Sequence, residues 1–303
     1  MPLGIKPTVD FAFKKIFGSP QNSLALMGLL NAILALKQPI VSVDIKNPFS
    51  YQEFAESKLI VLDIRCRDAS GRWLNVEMQL AVYGGLLERL VYYACNMYSD
   101  ELKAGDNYAT LQPAISICLL NHQIFPGTQA HHRFQMADLA SGRTLAKAIE
   151  VHTVELTKYN LDGRSILGAS KLEQWAFLLL FAQDYNANEL KALLPWIEFE
   201  QAIETIETIS LKTEDKLMYD QREKAQRDYE WALSGAREEG REEGIEEGME
   251  KGIERGKLTG KIQTLQDLLG DEVSSDSDLK PRSIAELTTD LSALQTRLRR
   301  RDT

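Results

Sequence analysis

Residues 59 to 80 read LIVLDIRCRDASGRWLNVEMQL, and the reading of this stretch decides the fold. Two runs of alternating apolar and polar residues flank Asp68-Ala69-Ser70-Gly71, the pattern of two antiparallel strands joined by a tight turn. If Ala69-Ser70-Gly71 is a three-residue loop, with Gly71 in the left-handed conformation such loops need, Asp68 faces Arg72. Counting back, Asp63 then faces Glu77 and Val61 faces Gln79. Cross-strand partners share a face, so Asp63, Arg65, Asn75, Glu77 and Gln79 line one side. Leu62, Ile64, Cys66, Leu74, Val76 and Met78 line the other, which is uniformly apolar and is the expected core side. A slip of one residue would put the two acids on opposite faces, so the prediction rests on the loop length.

Two carboxylates a few ångströms apart on rigid strands repel each other unless a cation sits between them. A hard divalent ion is the usual answer. Gln79, two residues beyond Glu77, is close enough to hydrogen-bond a water held at such an ion. The arrangement is an Asp, thirteen residues, then Glu-Met-Gln.

Asp63 followed by Glu77-Met78-Gln79 resembles the metal motif of the PD-(D/E)XK nucleases, with Gln where the motif usually has Lys. The opening Thr8-Val9-Asp10-Phe11-Ala12-Phe13-Lys14-Lys15-Ile16-Phe17-Gly18 and a glycine-repeat tail sharpen the likeness. Together they are similar to the PD-(D/E)XK family transposases, also called recombination-promoting nucleases (Rpn). The resemblance covers most of the chain, best in the first 125 residues and loosest after Tyr159. It implies an α/β fold: a restriction-endonuclease-like core, a mixed sheet flanked by helices, followed by a mainly helical C-terminal region. It also implies DNA as partner, Mg2+ or Mn2+ as cofactor, and cleavage that promotes recombination. Asp63, Glu77 and the Met78 carbonyl are the expected metal ligands, with Gln79 positioning water. Asp10 has two readings: an acid in the first turn of a helix, or a third carboxylate leaning over the metal pair, which the resemblance favours more than the residues alone do.

At 303 residues, with 44% hydrophobic and 26% charged residues, the composition is that of an ordinary soluble protein. No N-terminal stretch has the form of an export signal and no apolar run is long enough to span a bilayer, so a cytoplasmic location without membrane contact is expected. Cys66, Cys95 and Cys118 are widely spaced in apolar contexts and read as buried thiols. The four histidines lack metal-ligand spacing, and His131-His132 reads as a solvated loop. The net charge of -9 argues at first sight against nucleic acid. Its distribution differs: residues 1–150 hold 14 Lys and Arg against 13 Asp and Glu, whereas residues 151–303 hold 21 against 31. The hairpin half is therefore free to meet phosphate.

Along the chain, Thr8 is the expected cap of a first helix with Asp10 in its first turn, Phe13, Ile16 and Phe17 inward, and Lys14 and Lys15 wet. A second helix runs from about Asn22 to Leu36, and Val41, Val43 and Ile45 begin a strand. After the hairpin, Tyr83-Gly84-Gly85 opens a helix to about Lys103, which places Arg89 and Tyr92 near the acids or, alternatively, in ordinary packing roles. Ala114 to Asn121 reads as a strand buried on both faces, and Val151 to Leu156 as a further strand. The predicted order is helix, strand, strand, strand, helix, strand. Helices follow over Lys171 to Asp184, Ala187 to Leu194 and Phe199 to Thr208, with Lys212 to Ala232 as one solvated helix. The expected division is a nuclease-like core over 1–160, a helical extension over 161–234, a glycine-repeat segment over 235–265, and a polar linker with a short helix over 266–303.

In REEGREEGIEEGMEKGIERGKLTGK, glycine recurs every four residues from Gly240 to Gly260. Six glycines cost a helix roughly 6 kcal/mol against alanine, so this helix is not expected to stand alone. Either it self-associates through the close approach glycine allows, making a homo-oligomer, or it is a flexible charged tail. Three readings stand against one another: a metal-dependent DNA endonuclease; a nuclease fold that has lost turnover and binds DNA or assembles through its tail; and a purely structural hairpin with Asp63 and Glu77 paired to Arg65, Arg67 or Arg89. The Lys-to-Gln departure favours the second; retention of both acids favours the first.

Overall fold

The computed structural model describes residues 1–51, 63–79, 84–102, 105, 107–145 and 148–301. The expectations for Leu59 to Leu62, including the Val61–Gln79 pairing, and for Leu80 and Tyr83 fall outside them. The chain divides into two compact units, Met1–Arg227 and Asp228–Thr303. Among the described residues no helix is long and apolar enough to cross a membrane.

The first unit is built on a six-stranded sheet. Helices α1 (Asp10–Phe17) and α2 (Ser23–Leu34) precede β1 (Val43–Ile45), β2 (Asp63–Asp68) and β3 (Trp73–Gln79). Helix α3 (Leu86–Ser99) leads to β4 (Ala114–Leu120), followed by β5 (His131–Gln135) and β6 (Ile149–Glu155). The spatial order is β1-β2-β3-β4-β6-β5. The outer pairings are antiparallel, whereas β3, β4 and β6 run parallel. Parallel strands need helices on both faces, and the sheet has them. Ile64, Cys66, Leu74, Val76 and Met78 of the hairpin lie in one large core with Phe11, Phe13 and Phe17 of α1, Leu26 and Leu29 of α2, and Trp175. On the other face Leu86, Leu90 and Ala94 of α3 pack on Cys118, Leu120 and Val151. The helical extension comprises α4 (Lys171–Phe181), α5 (Ala187–Leu193), α6 (Ile197–Leu211) and the beginning of α7 (Thr213–Leu269). This is the mixed, helix-flanked sheet expected of a PD-(D/E)XK core.

Several local readings are corrected. The cap position of α1 is Val9 rather than Thr8, and no side chain caps it; the Asp10 carboxylate instead accepts from the Phe11 N–H at 2.7 Å. Lys14 is buried, and Lys15 points into a cluster where Phe11, Phe49 and Tyr51 surround its ammonium, 2.5 Å from the buried Asp215. Burial lowers the Lys15 pKa, and an acid from α7, distant in sequence, opposes that shift and offsets the cost of placing a cation on an inward helix face. Cys95 is exposed, since it lies on the outer side of α3. His131 and His132 belong to strand β5, where His131 Nε2 meets His152 Nδ1 at 2.8 Å.

The second unit contains the rest of α7, a helical turn α8 (Asp276–Leu279) inside the expected polar linker, and α9 (Ile284–Arg301). The glycine segment is continuous helix. Its C-terminal end is anchored: Ile262 packs on Leu279, Leu287, Leu291 and Leu294, with Leu258, Leu265 and Leu269 alongside. That packing offsets part of the glycine penalty at one end of the segment only.

Candidate active site

The hairpin loop sets the site. Gly71 has φ +82°, its N–H donates to the Asp68 carbonyl at 2.9 Å, and Asp68 N–H donates to the Arg72 carbonyl at 3.2 Å. The Asp68 carboxylate braces the turn by accepting from the Ser70 and Arg72 N–H groups at 2.9 and 3.0 Å. The strand register is the one this three-residue loop dictates: Asp63 opposite Glu77, Arg65 opposite Asn75, Cys66 opposite Leu74. Glu77 in turn lies beside Cys118 of β4. The acids therefore share the face covered by α3, away from the main core.

Each acid is held incompletely. Asp63 Oδ2 accepts from Arg65 Nε at 2.8 Å, while its Oδ1 is buried with no hydrogen-bond partner among the described residues. Glu77 Oε1 accepts from Asn75 Nδ2 at 2.8 Å, and among the described residues Oε2 has only a long bond from Gln79 Nε2, 3.4 Å, and the Arg89 guanidinium at 3.9 Å. Burial is the largest influence on Glu77 and pushes its carboxyl above the ordinary range. The Asn75 bond and the Arg89 charge oppose that rise, and Asp63 adds to it. Around the two acids further buried polar atoms lack partners: Asn75 Oδ1, Arg89 Nε, Ser116 Oγ and Thr153 Oγ1. Ser116 and Thr153 belong to this face through the register Asn75–Ser116 and Cys118–Thr153. Orphaned buried polar atoms are rare in finished cores, so a cluster of them beside two acids is what a site for a further group looks like.

Gln79 is buried within reach of Glu77. Met78 contributes its side chain to the main core, which fixes the strand while its backbone runs along the site. Asp10 is not brought in. Its carboxylate faces Arg222 of α7 at 3.7 Å, burial raises its pKa, and among the described residues no three His, Cys, Asp or Glu side chains gather closely enough to share an ion. Of the two residues expected on α3, Arg89 reaches Glu77, whereas Tyr92 is exposed with its ring tilted against that of Tyr93. Asn47, which the sequence reading passed over, clamps the strand end: it donates to the Asp63 carbonyl at 3.0 Å and accepts from the Arg65 N–H at 2.7 Å. Its position just past β1, before Pro48, is the signal that could have found it.

The donor set suits a hard divalent ion: two facing carboxylates, one with an oxygen unpartnered among the described residues, and the Met78 backbone next to Glu77 in sequence. Comparison with known families matches residues 7–236 to one described as PD-(D/E)XK nuclease family transposase. Comparison with curated proteins and with solved structures gives no significant match.

Proposed function

Because the chain belongs to the PD-(D/E)XK nuclease family transposases, we propose that it is a divalent-metal-dependent DNA endonuclease, hydrolysing phosphodiester bonds in the cytoplasm and promoting recombination. The observation that carries the reading is the facing of Asp63 and Glu77 on a braced hairpin, with Asp63 Oδ1 buried and unpartnered. Asp63, Glu77 and the Met78 carbonyl would hold Mg2+ or Mn2+. When bound, the ion neutralises charge on the scissile phosphate and acidifies the attacking water.

The remaining chemistry falls to side chains already in place. Asn75 orients Glu77 through its 2.8 Å bond. Gln79 turns its amide toward Glu77 and is placed to position water, but a neutral amide brings no charge. Arg89 brings the missing cation from the opposite layer, with Nε unpartnered and the guanidinium at the rim of the site. Arg65, about half exposed, offers a second guanidinium to a phosphate.

A second reading has its own observation: each acid already has an arginine nearby, so the chain would bind DNA without turnover. The test is cleavage of supercoiled plasmid by the purified chain with Mg2+, Mn2+ or EDTA, beside an Asp63→Ala variant of matched circular dichroism. Metal-dependent nicking absent from the variant is the expected result. No nicking by well-folded protein under any metal condition would move the assignment to the binding reading.

A further inference from the structure

Within the second unit, α7 and α9 bound a groove of about 610 Å3. Three cations line it: Lys257 and Lys261, one helical turn apart on α7, and Arg299 on α9. No lining residue is acidic and none is aromatic. Elsewhere in this unit cations meet acids, Arg241 with Glu238, Lys251 with Glu247, Arg282 with Asp290 and Arg297 with Asp271. Among the described residues neither Lys257 nor Lys261 has such a partner. The excess of positive charge is local: residues 251–261 hold four Lys and Arg against one Glu, and residues 291–301 hold four Arg and no acid, in a half of the chain whose balance is acidic. Two lysines at a spacing of four repel each other along the helix, a cost that an anion beside them removes.

We propose that this groove binds the phosphate backbone of duplex DNA, a contact on the substrate made outside the family match at residues 7–236. The inference rests on DNA being the partner, as proposed above. Charge complementarity chooses the occupant: each of the three cations can neutralise one phosphate, and the Gln295 amide, which also lines the groove, can donate to a phosphate oxygen. The absence of aromatic lining chooses the form. Grooves that hold single strands stack the bases on aromatic rings, whereas a duplex offers its phosphates outward and needs none. Contacts of this kind carry no sequence information, so the groove holds DNA of any sequence. Gly260 keeps it open, since a Cβ built there would meet nothing within 4 Å and a larger side chain would rise into the space a phosphate needs.

The test is binding of the full chain to a fluorescein-labelled duplex of about 30 base pairs, read by anisotropy in EDTA as NaCl rises from about 0.05 to 0.3 M. The triple variant Lys257→Gln, Lys261→Gln, Arg299→Gln should bind at least about ten-fold more weakly at low salt, and the slope of log K against log salt should shrink by about 2.7, roughly 0.9 for each lost phosphate contact. A control with the same change of charge at exposed positions of the first unit, Lys37→Gln, Arg164→Gln, Lys224→Gln, should bind like the native chain. Gly260→Leu, which alters no charge, should also weaken binding, with helicity equal or higher. No binding by the native chain would overturn the proposal. So would an unchanged slope in the triple variant, an equal loss in the control, or tighter binding of the single strand than of the duplex. Since EDTA suppresses metal-dependent cleavage, the two readings fail separately. A chain that nicks plasmid while its triple variant keeps the native slope fails here alone, and one that never nicks but loses slope with these three cations fails as a nuclease alone.

Discussion

Replacing Glu77 by Gln removes a charge while keeping shape, and the structure gives the expected sign on stability. The amide oxygen can still accept from Asn75, and the long bond from Gln79 survives an amide rotation. What is lost is attraction to Arg89 at 3.9 Å, with that side chain 36% exposed, which is worth about 1 kcal/mol or less. What is gained is relief from burying a charged carboxylate beside Asp63. Each unit by which a folded protein raises a carboxyl above its unfolded pKa lowers stability by about 1.4 kcal/mol at pH above both values. A raised carboxyl binds more protons folded than unfolded, so its contribution is fully present below the unfolded pKa, near 4.5, and is lost as pH rises through the folded value. In EDTA near pH 8, Glu77→Gln should therefore be no less stable than the native protein, and more stable by up to about 1 kcal/mol, or roughly 2–4 °C in Tm for a unit of this size. That gain should vanish on titration to about pH 4. With Mg2+ or Mn2+ in hundred-fold excess over Kd the native chain should gain about 2.7 kcal/mol and the variant nothing. Tryptophan fluorescence of thermal unfolding reads all four conditions. A variant less stable by more than about 1 kcal/mol in EDTA at pH 8 would make Glu77 a structural ion-pair partner. Retention of the metal-dependent shift would remove it from the metal site.

Other outcomes follow from the same geometry. Gly71→Ala, at φ +82° and 3.2 Å from the Gln112 side chain, should cost about 1–2 kcal/mol in urea unfolding and lower cleavage with it, because the loop sets the register of both acids. If Arg89 supplies the cation that Gln79 lacks, Arg89→Ala should depress cleavage about 10–100-fold with Tm nearly unchanged, Arg89→Lys should retain most of it, and Gln79→Lys should rescue Arg89→Ala. Equal loss in the Lys variant would refute that role. Burial is the main cause that lowers His131 to about 4, with His152 and Arg133 contributing. A depressed histidine binds fewer protons folded than unfolded, so stability should fall as pH drops from about 6.5 to 4, and His131→Gln should flatten that segment of a Tm–pH curve.

The hairpin was legible because its loop is short and its glycine unambiguous: once Ala69-Ser70-Gly71 is the turn, Asp63 must meet Glu77 and every core residue follows by alternation. Strand β5 was not legible, because HHRFQ has no apolar alternation. It exists because Arg133, Gln135 and His131 are satisfied by Glu150 and His152 on the neighbouring strand. The same distance in sequence hid the fates of Lys15, taken up by Asp215, and of Asp10, taken up by Arg222. Periodicity identifies which face of a helix turns inward. It does not say whether an acid from elsewhere waits there. Arg89 was intermediate: helix spacing placed it near the acids, but only the docking of α3 on β4 and β6 decided which residue it meets.

Three buried glutamates on this one sheet are held differently, and the contrast supports reading Asp63 and Glu77 as a ligand site rather than a structural pair. For Glu150, burial pushes the carboxyl up, but bonds from His152, Arg133 and Gln135 outweigh it and hold it at about 2. For Glu155, burial is again the largest influence and is again outweighed, by Lys158 and by the Ile124 and Phe125 N–H groups, so its pKa falls. Both are carboxylates met by a cation at contact distance, Glu150 by Arg133 and Glu155 by Lys158. Glu77 is as deeply placed, yet its partners are one amide at normal length, one at 3.4 Å, and a guanidinium at 3.9 Å, and its pKa rises. A chain that satisfies two buried glutamates so thoroughly had the means to satisfy the third. Leaving Glu77 short of donors, opposite an aspartate with an unpartnered oxygen, has a stability cost that natural sequences carry mainly where an absent ligand removes it.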